Sequence, residues 1–391
     1  SFLYGWTVFT VIQTGVIAAV AVAFAKYAGV FFPVLNDVFL KTPIINVSYG
    51  QLVAIGSIMV LTVLNSRGVQ NGKILQLIFT AAKLFALFAL IVLGLAIGLK
   101  TDVFTQNFDH MWDAYKTVQL PSGALDTIPL TGFALMGALG ATIINSLFSS
   151  DAWNNVTFIA GEIKDPKKNI PKSLFFGTTI VTIIYILANL AYLALLPKGG
   201  DPMANDAIGQ GIMFAANDRV GAGAASVIFG GLGISMMAAL IMISTFGCNN
   251  GLILAGSRLF YAMSSDGLFF KQAKKLNQFN VPSVAMWIQG IWASILCLSG
   301  KYGDLLVYST FASLLFYILT IFGIFILRKK EPDTERPYKA FGYPFIPALY
   351  ILVTLAICID LLVYDLRNAG MGLLIVLLGI PIYFIADRKK R

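Results

Sequence analysis

Ten stretches of this chain are apolar enough to cross a lipid bilayer: 6–33, 47–64, 74–99, 131–160, 173–196, 223–263, 283–299, 304–327, 345–364 and 369–386. A hydrocarbon core about 30 Å thick needs about 20 such residues in a helix. It also offers the backbone no hydrogen-bonding solvent, so each stretch must satisfy its own amides. The chain is therefore expected to be an all-α multi-pass membrane protein with one transmembrane domain over residues 1–391. Composition agrees. Of 391 residues, 58% are hydrophobic and 12% charged, with a mean hydropathy of +0.79, beyond what a soluble domain carries. The sixth stretch is too long for one simple span, and its end is expected to project into the cytoplasm.

A net charge of +9 suggests nucleic acid until the charges are mapped. One alternate set of loops, with the carboxy terminus, holds 19 Lys and Arg in groups beginning at Arg67, Lys164, Arg258, Arg328 and Arg388. The other set holds 7: Lys41, Lys100, Lys116, Lys198, Arg219, Lys301 and Arg367. The positive-inside rule makes the first set cytoplasmic and puts both chain ends inside. Basicity here reports topology, the lipid bilayer is the partner, and nucleic acid is not. Cys248, Cys297 and Cys358 all fall in apolar stretches at spacings that match no metal motif, so they read as small hydrophobes. His110, in the long loop 100–130, reads as solvated.

Within the fourth stretch the sequence turns polar at Phe148-Ser149-Ser150-Asp151-Ala152-Trp153-Asn154-Asn155. Helix is expected on both sides, over 131–147 and 153–160. Backbone that leaves the helix at this depth is tolerated only against protein or water, and transporters place such breaks at their binding sites. Asp151 can face a cavity, bind a cation, or cap the following helix, a role Asp fills well. Lys83 lies about ten residues into the third stretch, too deep for easy snorkelling. It is either an internal cation serving a site or a structural tie to carbonyls. Lys26 sits near a span end, where snorkelling suffices. Tyr185, Asn189 and Tyr192 share one helical face, which either lines a cavity or joins helices. Pairs such as Gly230-Gly231 read as close helix packing. There is no GxxxxGK[ST] loop and no HExxH, which disfavours ATP-driven transport and zinc proteolysis.

The run Trp153-Asn-Asn-Val-Thr-Phe-Ile-Ala-Gly-Glu162-Ile-Lys-Asp165-Pro166-Lys-Lys-Asn169-Ile-Pro171 resembles the sixth helix and following loop of amino-acid/polyamine/organocation (APC) transporters. The L-type amino acid transporter (LAT) family is the subgroup it is most similar to. Three further blocks resemble that subgroup in order: Val181 to Tyr192 its seventh helix, Ser244 to Tyr261 its eighth, and Lys330 to Lys339 the loop after its tenth. The resemblance implies a LeuT-type inverted-repeat fold of twelve spans, of which this chain supplies helices 3–12. Only three spans precede the broken sixth helix at 131–160. The first two helices, with the turn that holds the substrate carboxylate, are expected to lie outside this sequence.

The resemblance also implies roles. Phe148 matches the aromatic gate over bound substrate. The backbone from Phe148 through Ser149, Ser150 and Asp151 to Ala152 matches the unwound turn facing the substrate's amino group. Carbonyls freed at a helix end suit an ammonium. Tyr185 matches a tyrosine near the site. Lys83 matches the lysine standing where sodium-coupled relatives hold a cation. Asp151-Ala152-Trp153 resembles the Asp-Gly-Trp of bacterial members. The loop after the first stretch lacks the cysteine that tethers animal light subunits to a heavy chain, so no disulfide-linked partner is expected. The implied activity is sodium-independent exchange of small or medium neutral L-amino acids at the plasma membrane, with no cofactor and no metal. Proton-coupled symport through Asp151 or Lys83, and a non-transporting sensor or truncated remnant, are the alternatives. No catalytic constellation accompanies the polar groups, so an enzyme is not expected.

Overall fold

The computed structural model describes residues 2–42, 46–109, 111–119, 125–299, 302–336 and 338–388; His110 lies outside them. In chain order its helices are α1 (Phe2–Ala28), α2 (Tyr49–Ser66), α3 (Val69–Gly98), α4 (Asp102–Asp109), α5 (Gly132–Ser149), α6 (Asn155–Phe158), α7 (Pro166–Leu195), α8 (Ala207–Gln210), α9 (Val220–Phe229), α10 (Gly231–Ser265), α11 (Ser283–Ser299), α12 (Tyr302–Lys330), α13 (Phe345–Tyr364) and α14 (Leu366–Arg388). Among the described residues, nine helices are long and apolar enough to cross a membrane. The tenth expected span, α11, is a 17-residue helix just short of that length. Two short antiparallel hairpins lie in the loops: β1 (Val38–Lys41) with β2 (Asn46–Ser48), and β3 (Tyr115–Gln119) with β4 (Leu125–Pro129).

Alanines let α1 sit at the centre of the bundle. Ala18, Ala19, Ala21 and Ala25 are buried with Ile58 and Leu61 of α2, Leu252 and Ile253 of α10, and Met286 and Cys297 of α11. Small side chains bring backbones close where the surrounding medium is as apolar as the core. The contact is then fastened by polar groups. Gln13 Nε2 donates to the Leu252 carbonyl at 2.9 Å, and Gln289 Nε2 to that of Ile253 at 3.1 Å. The stretch Val8–Ile12 is a π-helical turn. Its widened winding leaves carbonyls for other donors: Thr14 bonds Phe9, Trp292 bonds Thr10 and Ser309 bonds Val11. A capping box starts α2. Ser48 Oγ accepts from the Gln51 amide, and Gln51 Oε1 from the Ser48 amide.

Two expectations from the sequence are corrected. The sixth stretch is not continuous, because the chain turns at Gly230 (φ 64°) between α9 and α10. A Cβ at Gly230 or Gly231 would meet nothing within 4 Å, so this glycine pair makes a turn and not a close helix contact. Even so, α10 has 35 residues, about 52 Å of helix. The second correction concerns the broken helix. Beyond the break the helix expected over 153–160 shrinks to one α turn, α6, followed by a 3-10 turn.

Candidate functional site

Helix α5 ends at Ser149, where its own side chains compete for backbone. The hydroxyls of Ser149 and Ser150 and the amide of Ser150 all donate to the Ser146 carbonyl. The amide bond is the ordinary helical one, while the hydroxyls' back-bonding to the same carbonyl weakens and bends a helix end. The chain then reverses at Ala152, whose φ of 63° lies in the left-handed region. Such a conformation costs a residue bearing a Cβ about 1–2 kcal/mol, so packing around the break must hold it.

Two neighbouring helices bond to the break, and a third packs along the rest of α5. From α7, Tyr185 Oη donates to the Ser149 carbonyl at 3.0 Å. From α12, Tyr317 Oη donates to Asp151 Oδ1 at 2.5 Å, and its ring lies 5.5 Å from that of Trp153. From α13, Tyr364 Oη donates to the Phe133 carbonyl near the start of α5. Gly137 and Gly140 face Tyr364 and Asp360 of that helix. Phe148 packs against both the α1-centred core and the α12–α13–α14 core, directly beside the break.

Asp151 is not a helix cap. The residue before α6 is Asn154, which makes no side-chain cap bond, while the Asp151 carboxylate turns toward α12. Sequence gave no reason to single out Tyr317, one tyrosine in an apolar helix, and only the bundle brings it to Asp151. Asp360 was missed as well; its Oδ2 is buried without a hydrogen-bond partner among the described residues.

Lys83 lies on α3, which packs against α10. Phe79, one turn earlier on α3, packs against α10 where a Cβ on Gly247 would come within 2.7 Å of it. Lys83 lies within electrostatic range of Cys248, and Cys248 within range of Tyr185. Cys248 is exposed, whereas Cys297 and Cys358 are buried. The tyrosine face splits in two: Tyr185 serves the break, and Asn189 bonds back to the Tyr185 carbonyl. Lys26 pairs with the exposed Asp218 at 3.4 Å, a surface contact of little energetic weight.

A multi-pass helical bundle with a polar break at membrane depth, tied to two neighbouring helices, has the architecture of a secondary transporter. Residues 1–380 match the amino acid permease family, and the chain belongs to that family. Its relatives are transporters rather than enzymes. They include the serine/threonine exchanger SteT of Bacillus subtilis, 29% identical over 347 residues, which cover 87% of this chain and 70% of the relative. The b(0,+)-type amino acid transporter 1 of Mus musculus is 27% identical over 388 residues, with coverage of 98% and 71%. The cystine/glutamate transporter of Homo sapiens is 28% identical over 396 residues, with coverage of 100% and 70%.

Proposed function

We propose that this protein exchanges small or medium neutral L-amino acids across the plasma membrane of a bacterial cell by alternating access, without sodium. The observation that carries the reading is the hydrogen bond from Tyr185 to the Ser149 carbonyl, beside a break flanked by Phe148. It fixes a strip of unwound backbone, from Ser149 through Ser150 to Ala152, against a hydroxyl on another helix. Such a strip can accept an ammonium and be remade as helices shift. Phe148 acts as the gate, since it bridges the two packed cores that must move apart. Lys83 supplies a fixed positive charge beside Cys248 where a coupling cation would otherwise be needed. Both chain ends lie inside the cell, and no disulfide-linked partner is required. Two of the relatives named above are an exchanger and a two-substrate transporter, which favours exchange over one-way uptake.

The test is counterflow. Full-length protein in liposomes is given labelled alanine, serine or leucine outside, with or without unlabelled amino acid inside. Exchange requires the internal amino acid, is indifferent to replacement of sodium by choline, and is not seen with empty liposomes. Equal uptake into loaded and empty liposomes would sink the reading.

A further inference from the structure

A cavity of about 370 Å³ lies between α8, α9 and the start of α10, on the side that the loop charges place outside. Small-molecule sites commonly hold about 300–1,000 Å³. Small residues make the room. Ala207, Gly211, Ala222 and Gly223 line it, and so does the turn at Gly230-Gly231, where an added Cβ would meet nothing within 4 Å. Among the described residues its wall carries two opposite charges, Arg219 just before α9 and Asp206 just before α8, with Asn205, Gln210 and Ser226 beside them. Each charge keeps bonding capacity in reserve. Arg219 Nη2 donates to the Lys26 carbonyl, and its guanidinium carbon stands 5.8 Å from the centre of the Tyr27 ring. Its Nε is buried without a partner among the described residues, and the adjacent Asp218 pairs with Lys26 instead. Asp206 Oδ1 accepts from the Gly209 amide at 3.3 Å, which leaves Oδ2. Ser226 Oγ donates to the Gly223 carbonyl and can still accept. The guanidinium fork suits a carboxylate, and a carboxylate oxygen suits an ammonium. A simple anion would leave Asp206 facing it, and a simple cation would leave Arg219. A zwitterion satisfies both.

We propose that this cavity is a second amino acid site on the outer face, separate from the break, with the ligand's carboxylate on Arg219 and its ammonium on Asp206. The inference rests on the exchange reading above, which supplies the amino acid, and adds a site that fills from outside.

Counterflow first selects whichever of alanine, serine and leucine full-length protein exchanges fastest. Equilibrium dialysis of that labelled amino acid against the purified protein in detergent should then show two molecules bound per chain at saturation. Gly231→Met, which extends a side chain into the open cavity from a helical position, should leave one. Arg219→Gln should weaken the second site by about tenfold or more. The amide of the same amino acid, which has no carboxylate, should fail to displace the second molecule. If Arg219→Gln does not fold for want of its tie to Lys26, Gly231→Met decides. One molecule per wild-type chain, two in Gly231→Met with unchanged affinities, an unweakened second site in folded Arg219→Gln, or displacement by the amide as effective as by the amino acid would each overturn the proposal. Absence of counterflow by wild type with all three amino acids would instead remove the exchange reading itself.

Discussion

Lys83 and Asp151 are both ionisable and both at membrane depth, yet they meet different surroundings. Lys83 lies within electrostatic range of the Cys248 thiol, while Asp151 is gripped by a phenol from α12. Replacing Lys83 by Ala removes a charge from the site but no packing core. The expected result is an exchange rate lower by about tenfold or more, with normal membrane insertion judged by yield of folded protein in the membrane fraction. Unchanged kinetics in that variant would end the site assignment. Cys248, exposed and within electrostatic range of Lys83, offers a chemical probe of the same region. A small thiol-reactive reagent should inactivate the wild type, substrate should slow the inactivation, and Cys248→Ser should abolish it, because Cys297 and Cys358 are buried. Inactivation persisting in Cys248→Ser would place the reactive thiol elsewhere.

At the scale of elements, three local irregularities set the shape of the bundle. The π turn of α1 offers carbonyls to Thr14, Trp292 and Ser309, the serine pair ends α5, and Gly230 separates α9 from α10. Gly230 turns at φ 64° in open space, so a side chain there is opposed by backbone conformation alone. Gly230→Ala should destabilise the protein by about 1–2 kcal/mol. Gly231→Ala, inside the helix and equally open, should be neutral or slightly stabilising. Thermal melting in detergent separates the two, and equal melting temperatures would contradict the turn. Gly98 is the opposite case. Its Cβ would fall 2.6 Å from the Ala194 carbonyl, a rigid backbone neighbour, so Gly98→Ala should cost about 1–3 kcal/mol by forcing α3 and α7 apart. The same melting measurement checks it.

For the whole molecule, loop charge is the lever on orientation. A cysteine placed at Lys168 should react with a membrane-impermeant reagent only from the cytoplasmic side, and one placed at Lys116 only from outside. The reverse pattern would invert the topology. Segment lengths and these charges were legible in the sequence because a bilayer is a uniform solvent. It asks each segment the same question of length and hydropathy, and the answer is local. The break was legible for a similar reason, since Ser149, Ser150 and Asp151 are out of place in hydrocarbon. The partners of the break were not. That Tyr317 rather than the start of α6 takes the Asp151 carboxylate, that Tyr185 reaches Ser149, and that Cys248 lies within electrostatic range of both Lys83 and Tyr185 all depend on which helix faces meet. Those contacts join residues as far as 166 positions apart, and an apolar helix surface carries little sequence signal of its neighbours. The sequence by itself determined that the chain spans a membrane, how its charges divide between alternate loops and where one helix must fail. Tertiary packing decided which side chains surround that failure, because hydrogen bonds in a dry bundle go to whatever donor the neighbouring helix presents.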